Sequence, residues 1–180
     1  MATRVVLTYR DYETLPADGR RYELHDGELS VAPAPNTAHQ RAVGRLFRIL
    51  ADHVERHSLG EVFVSPVDGI LSETTVVQPD ILYLDLGKST LVSSRGIEGS
   101  PTLVVEVLSA STSRIDRGTK LQLSARYGVP FYWMLDLDRR FEAYVLTGDA
   151  FRIAAALEER ASGSLPPFAD LTIHIAFLWR

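Results

Sequence analysis

The sequence predicts an α/β fold in which a mixed sheet is covered by helices. The first observation is an amphipathic stretch, residues 37–57, whose apolar positions recur at helical spacing. The second is a series of short apolar runs of strand length, separated by glycine, proline and aspartate. The third is another helical stretch, residues 115–127, between two of those runs. From residue 37 the predicted order is a helix, a group of strands, a second helix and two further strands, which is typical of a mixed α/β layer.

Composition and charge restrict the class of protein. The length of 180 residues fits one domain, and 46% hydrophobic residues are enough for a core. The absence of cysteine excludes disulfides and thiolate metal sites, and it favours a reducing, cytoplasmic location. No apolar stretch reaches the roughly 20 residues of a membrane span, so we expect no membrane association. The apolar part of the N-terminus is too short and too soon polar for a secretory signal. The net charge of -4 argues weakly against strong non-specific binding to nucleic acid.

The N-terminal extension, residues 1–36, has clear turn signals. Thr8 or Asp11 is expected to cap a short helix. Asp26-Gly27 lies between two short apolar-alternating runs, and this pair predicts a hairpin with a two-residue turn. A proline-rich connector leads from the hairpin into the long helix. We expect one domain, with a core over residues 37–146 and a C-terminal extension over 147–180.

The long helix has two distinct faces. Its core stripe is predicted to consist of Val43, Leu46, Phe47, Leu50 and Val54. Arg41, Arg45 and Arg48 share another face. These arginines are candidates to track a nucleic-acid backbone. The favoured alternative is a solvated face that pairs with acidic residues of the same helix.

The remaining elements follow from apolar runs and breakers. Strands are predicted over residues 61–65, 69–71, 76–85, 102–108, 131–136 and 141–146. Pro79 suggests an edge strand or a strand start. Residues 87–100 read as a polar loop, and a serine-rich turn over 109–113 is expected to cap the second helix. A hairpin or short helix is expected over 151–159, and a strand or short helix over 170–175.

Three charged residues stand out in this pattern: Asp80, Glu106 and Lys120. Asp80 heads one apolar run, Glu106 interrupts the run 103–108, and Lys120 lies on the second helix. A buried unpaired charge costs several kcal/mol, so Glu106 needs a cation or a metal nearby. Two carboxylates on neighbouring strands would form a site for a hard cation. The simpler alternatives are that Asp80 caps a turn and that Glu106 forms a buried ion pair with Lys120 or with an arginine.

An ordered series of motifs extends over most of the chain. In order they are Tyr22-Glu23-Leu24, Asp26-Gly27-Glu28, His39, Pro79-Asp80, Val104-Val105-Glu106-Val107-Leu108-Ser109, Asp116, Lys120, Tyr127-Gly128-Val129-Pro130 and Tyr132-Trp133. This series resembles the PD-(D/E)XK nuclease superfamily and, more closely, the Uma-type restriction-endonuclease-like family. The resemblance implies a restriction-endonuclease-like core of order αβββαβ with an added N-terminal hairpin.

The resemblance also implies the parts of a site. Asp80, Glu106 and the carbonyl of Val107 would bind Mg²⁺ or Mn²⁺, and Lys120 would assist the attacking water or neutralise the phosphate. The superfamily pattern has lysine where this chain has Leu108, so Lys120 on the following helix would replace it.

Three further residues are auxiliary candidates. Glu23 would be an extra carboxylate, although Glu28 across the hairpin competes for that role. His39 is either a site residue or a cap and hydrogen-bonding residue at the core edge. Asp116 would hold Lys120 through an i, i+4 ion pair.

Together with these residues, the resemblance implies a Mg²⁺-dependent endonuclease that hydrolyses phosphodiester bonds in nucleic acid, with DNA expected, and that acts as a homodimer. The apolar ending, residues 173–179, would pack either across such an interface or within the chain. One alternative is a catalytically degenerate module that binds or oligomerises, which Leu108 and the acidic balance favour. Another is a hydrolase of small phosphoesters.

Overall fold

A computed structural model of the protein describes residues 5–108, 115–137 and 140–179, without the side chain of Asp116. Its architecture is mixed α/β, with two six-stranded sheets and a separate two-stranded hairpin among those residues. No helix in the described ranges is both long enough and apolar enough to cross a membrane.

The N-terminal segment folds as the turn signals predict. Helix α1 (Tyr9–Tyr12) begins after Thr8, whose backbone N–H and hydroxyl both donate to Asp11 Oδ2 at 2.8 Å. Strands β1 (Arg21–His25) and β2 (Glu28–Ala32) form an antiparallel hairpin. The turn residues Asp26 and Gly27 have φ of 52° and 79°, as a type I′ turn requires.

The first sheet has the strand order β2-β1-β5-β4-β8-β7. Its other strands are β4 (Gly69–Ser72), β5 (Thr75–Val77), β7 (Val92–Ser93) and β8 (Gly96–Glu98). The prediction of a polar loop over residues 87–100 is wrong, because a 3₁₀ helix (Leu86–Leu91) and strands β7 and β8 occupy most of it. The physical reason is Ile97, which is buried where β8 pairs with β4.

The second sheet has the strand order β12-β11-β10-β9-β6-β3. Its strands are β3 (Gly60–Val64), β6 (Ile81–Asp85), β9 (Leu103–Leu108), β10 (Phe131–Asp136), β11 (Arg140–Thr147) and β12 (Ala150–Glu158). Strand β9 is central, parallel to β10 and antiparallel to β6. Residues 150–158 therefore form an edge strand that pairs with β11 as a hairpin and not a helix.

The predicted strand over residues 76–85 is in fact two strands in different sheets. Strand β5 belongs to the first sheet and β6 to the second, and residues 78–80 cross between them. Pro79 lacks the N–H that a continuous ladder would need, so it marks a break and the approach to β6. The alternative that Pro79 marks an edge strand is wrong, because β6 lies between β9 and β3.

Helix α2 (Thr37–Arg56) packs on one face of the second sheet, which we call the α2 face. Asn36 Oδ1 accepts the N–H of His39 at 2.9 Å and caps the helix. The predicted core stripe is confirmed: Val43, Leu46, Leu50 and Val54 are buried, and Phe47 packs beside them. The sheet residues of this face include Ile81, Tyr83, Leu103, Val105, Val107, Trp133 and Leu135.

The opposite face, the α3 face, carries Leu82, Leu84, Val104, Leu108, Tyr132 and Met134. Helix α3 (Leu121–Arg126) lies beside it and is preceded by a π-helical turn (Asp116–Lys120). The predicted extent of this helix is confirmed, including its end at Gly128, where φ is 74°. The π-helical turn was not predicted, and the serine-rich turn over 109–113 lies outside the described residues.

The C-terminal segment packs within the chain. Strands β13 (Ser162–Leu165) and β14 (Phe168–His174) form the hairpin, and helix α4 (Ile175–Leu178) follows. The tail is therefore a strand and then a short helix. Ile173, Ile175 and Leu178 are buried in the core of the α2 face. Of the two alternatives for residues 173–179, packing within the chain is what the structure shows.

Candidate active site

One cavity of about 180 Å³ brings together six of the residues singled out from the sequence. These six are Glu23, His39, Asp80, Glu106, Val107 and Lys120. The cavity lies where the first sheet, the second sheet, α2 and the π-helical turn meet. Its outer wall is the segment Ser30–Asn36, which contains the end of β2 and the proline-rich connector.

Strand register explains why Asp80 and Glu106 are neighbours. Ile81 of β6 pairs with Val105 of β9 in antiparallel register. Extending that register by one residue places Asp80 opposite Glu106, where Cβ atoms of directly paired residues are about 4.5–5.5 Å apart. Because side chains alternate along a strand, Glu106 of β9 belongs to the α3 face and not to the apolar α2 face. Asp80 lies just before β6, and its carboxylate contacts His39 of α2. Asp80 is 3% exposed and Glu106 is 2% exposed.

Lys120 reaches into this cavity from the π-helical turn. Its Nζ lies 2.6 Å from Glu106 Oε1 and 3.0 Å from Glu23 Oε1. Only 5% of the residue is exposed. Lys120 therefore does not extend into solvent, and it joins the hairpin carboxylate to the central strand.

Glu23 is buried in β1 and is held from three directions. Besides Lys120, the Gln78 N–H donates to Oε1 at 2.7 Å, and His25 Nε2 lies 3.2 Å from Oε2. Burial acts to raise the pKa of Glu23, but Lys120, His25 and the Gln78 N–H outweigh it and lower the pKa below its usual value. Glu28, the competing acid of the hairpin, is exposed and does not line the cavity.

Asp80 has its own set of partners. Oδ2 accepts the backbone N–H of Val107 at 2.9 Å and lies 3.1 Å from His39 Nε2, and Oδ1 lies 3.4 Å from Arg21 Nη1. Burial opposes ionisation of Asp80, but contacts with His39, Arg21 and the Val107 N–H lower its pKa. The His39 ring thus lies beside the Asp80 carboxylate, and the backbone N–H of His39 donates to Asn36 Oδ1, which caps α2.

Arg21, His25 and Gln78 contact the site but were not predicted. Arg21, Glu23 and His25 alternate along β1, so strand periodicity around Glu23 was a usable signal for two of them. Gln78 acts through its main chain: its N–H donates to Glu23 and its carbonyl accepts from Arg21 Nη2. Its side chain donates to Asp68 Oδ1 at 2.7 Å, which fixes the crossing segment to the first sheet.

The arginine face of α2 is not part of the cavity. Arg45 donates to the Phe177 carbonyl at 2.8 Å, and the guanidinium groups of Arg45 and Arg48 lie 5.1 and 5.6 Å from the Phe177 ring. Arg41 is exposed on the same helix. Neither interpretation of this face, a nucleic-acid contact or a solvated face with intrahelical ion pairs, predicts the contacts of Arg45 and Arg48 with α4. The predicted ion pair of Asp116 with Lys120 involves a side chain outside the described residues.

The donor set fits a hard divalent cation. In the described ranges no group of three or more histidine, cysteine or acidic side chains is arranged to hold a metal. Asp80 and Glu106 nevertheless offer carboxylate oxygens to the same cavity. The Val107 N–H points to Asp80, and the N–H and carbonyl of one strand residue face the same side, so this carbonyl also faces β6. Two carboxylates and a carbonyl are ligands that Mg²⁺ and Mn²⁺ accept.

Comparisons with known proteins agree with this geometry. The chain matches the Uma2 family, described as "Putative restriction endonuclease", over residues 9–176. Its fold is similar to the crystal structure of a "putative nuclease belonging to DUF820" from Anabaena variabilis ATCC 29413, with a TM-score of 0.79 and 18% identity, covering 96% of this chain and 97% of that one. No curated protein is significantly similar in sequence. Because the family match spans nearly its whole length, the chain belongs to the Uma2 family.

Proposed function

We propose that this protein is a divalent-cation-dependent nuclease that hydrolyses phosphodiester bonds in nucleic acid, with DNA as the expected substrate. The observation that carries the proposal is the position of Lys120, buried 2.6 Å from Glu106 in the cavity that also contains Asp80. In this proposal Lys120 supplies the lysine that the superfamily pattern has where this chain has Leu108. Family membership and the nuclease-like fold support the same function.

Mg²⁺ or Mn²⁺ would be held by Asp80, Glu106 and the Val107 carbonyl. When bound, such an ion supplies Lewis acidity and neutralises charge on the phosphate. The Val107 N–H and His39 fix the orientation of the Asp80 carboxylate. The lowered pKa of Asp80 keeps it ionised at neutral pH, as a metal ligand must be.

Lys120 and Arg21 are cationic side chains that line the cavity. Lysine has three N–H donors and no acceptor, so Lys120 suits contact with phosphate oxygens or an attacking water. Glu23 and Glu106 hold its ammonium group between two strands. Arg21 places a second cation beside Asp80, where it lines the cavity.

The second candidate, a nuclease-fold module without catalysis, is favoured by one observation. Each carboxylate of the site already contacts a cationic or histidine side chain of this chain: Glu23 and Glu106 share Lys120, and Asp80 has Arg21 and His39. A network of this kind can be purely structural. Metal binding separates the two candidates, because a nuclease must exchange some of these contacts for the ion.

The test is isothermal titration of Mg²⁺ and Mn²⁺ into the wild type, Asp80→Asn and Glu106→Gln. Cleavage of plasmid DNA, single-stranded DNA and RNA is measured on the same samples. The control is Glu28→Gln, an exposed acid on the same domain's hairpin. We expect both metal binding and cleavage to disappear in the two site variants and to persist in the control. A folded wild type that neither binds metal nor cuts nucleic acid would contradict the nuclease and favour the module.

A further inference from the structure

A second acidic residue lies in line with Glu106 on the α3 face. Met134 of β10 pairs with Glu106 of β9 on one side and with Glu142 of β11 on the other. Residues in direct register point to the same face of a sheet. Glu106 and Glu142 therefore flank Met134, with their Cα atoms about 9–10 Å apart, or two strand spacings.

The π-helical turn contacts both glutamates through two basic residues. Lys120 binds Glu106, and Arg117, three residues earlier, places Nη1 2.8 Å from Glu142 Oε2. The Arg117 Nη2 group also lies 2.9 Å from Asp136 Oδ2 at the end of β10. The guanidinium group spans the middle strand, since Nη1 is 3.9 Å from Met134 Sδ.

Glu142 is a firm anchor for this contact. It is 5% exposed and accepts from Arg140 Nε at 2.8 Å and from the Tyr144 hydroxyl at 2.9 Å, in addition to Arg117. Burial acts to raise the pKa of Glu142, but hydrogen bonds from Arg117, Tyr144 and Arg140 lower it. Glu142 is thus ionised and held on several sides at neutral pH.

We propose that Arg117 and Glu142 are positioning residues that set the place of the π-helical turn on the sheet and so direct Lys120 into the site. Neither residue lines the cavity, and both act through Lys120. Two ionic contacts on one short turn fix its translation and its rotation, which one contact alone does not. The inference rests on the proposed function only for its effect on catalysis.

The sequence makes the position of Lys120 directly measurable. Its two lysines are Lys88 and Lys120. Protein labelled with ¹³C-lysine therefore gives two sets of side-chain NMR signals. Lys88 donates to the carbonyls of Ser100 and Pro101, away from the π-helical turn, and serves as the internal reference.

The test compares Arg117→Ala, Arg117→Lys and Glu142→Gln with Tyr144→Phe. Tyr144→Phe removes one hydrogen bond to Glu142 and leaves Arg117 in place. We expect Arg117→Ala and Glu142→Gln to move the Lys120 signals and leave those of Lys88 unchanged. We also expect kcat to fall by roughly 10- to 100-fold with little change in KM, since small displacements of a reacting group cost about this much. Arg117→Lys should recover part of the loss, and Tyr144→Phe should change neither quantity.

The NMR measurement keeps this inference separate from the proposed function. If the wild type cleaves no nucleic acid, the nuclease fails, while the movement of the Lys120 signals still tests the positioning. If the folded Arg117→Ala variant keeps its Lys120 signals and its kcat, the positioning role is wrong. If Tyr144→Phe matches the loss in Arg117→Ala, general damage to β11 is the explanation, and the proposal is overturned.

Discussion

The two faces of the second sheet share the same strands but differ in what they carry. On the α2 face the inward side chains are apolar and pack against α2, β14 and α4. On the α3 face the same strands carry Glu106 and Glu142 among their apolar side chains, and Asp80 precedes β6. Because alternate residues face opposite sides, one sheet can be a core on one side and a charged site on the other. The α2 face supplies stability, and the α3 face uses buried ionic contacts that are costly to leave incomplete.

Removing the shared cation should damage the α3 face most. In Lys120→Met, Glu23 and Glu106 both lose their ammonium partner. Breaking a buried ion pair from one side costs about 3–5 kcal/mol of unfolding free energy. Cleavage per folded molecule should fall by about 10²–10³-fold, the usual cost of losing one electrostatic stabiliser. Urea unfolding and single-turnover cleavage measure the two effects. An unchanged stability would show that Lys120 does not hold these carboxylates.

A cavity created by mutation in the core of the α2 face should reduce stability without affecting the site. Leu50 is fully buried in the core of α2, so Leu50→Ala should lower the unfolding free energy by about 2–5 kcal/mol. Leu50 does not line the cavity, so metal affinity and cleavage per folded molecule should be unchanged. Urea unfolding together with titration of Mg²⁺ checks both statements. A loss of metal affinity in the folded variant would show that the two faces are coupled.

The two faces should respond to acid in different pH ranges. On the α2 side, burial and then His57 lower the pKa of His53, so the folded protein protonates it at a lower pH than the unfolded chain does. The unfolded chain binds the extra proton first, so stability should begin to fall as pH drops below about 6.5. On the α3 face, Glu142 has a lowered pKa, so its contribution is present above about 4.3 and is lost as pH falls through its folded value. Unfolding free energies across pH 3–8, measured for the wild type, His53→Phe and Glu142→Gln, should show each step removed by its own variant.

The smallest effect is expected for an exposed ion pair of α3. Arg126 Nη1 lies 2.8 Å from both carboxylate oxygens of Asp26, and both side chains are about half exposed. Solvent screening leaves an exposed ion pair with little effect on stability, so Arg126→Met should leave the unfolding free energy almost unchanged. Thermal unfolding at low and high salt measures it. A larger loss would contradict the explanation that the contacts of Lys120 stabilise the fold more than those of Arg126 because they are buried.

Local chemistry explains which parts of the fold the sequence predicts. The Asp26-Gly27 turn, the stripe of α2 and the end of the second helix at Gly128 each depend on residues close in the chain. Glu106 also stands out, because a charge within an apolar strand needs a partner. Asp80 stands out at the head of an apolar run and Lys120 on the second helix, the motif order supports a site role for both, and the structure brings both into the cavity with Glu106.

The parts that the sequence does not predict depend on contacts between distant segments. The division of residues 75–85 into two strands depends on the first sheet, with which β5 pairs. The strands around Ile97 form because β4 lies beside them, and a mostly polar sequence conceals this. Gln78 contributes main-chain atoms, which carry no residue-specific signal. The π-helical turn places Arg117 against Glu142 of β11 and Lys120 against Glu106 of β9. The spacing of residues along a helix does not by itself predict that one turn contacts two different strands.

The crossing segment at residues 78–80 has a consequence for shortened forms of the protein. It joins the hairpin to the second sheet through the Gln78 contacts with Glu23 and Arg21. A chain trimmed to begin at α2 would keep Asp80, Glu106 and Lys120 but lose both hairpin residues and the β1 and β2 strands. Lys120 would then retain Glu106 without Glu23, and β5 would become an open edge. The smallest unit that keeps the whole cavity therefore begins upstream of α2, and it includes the hairpin as well as the central strand.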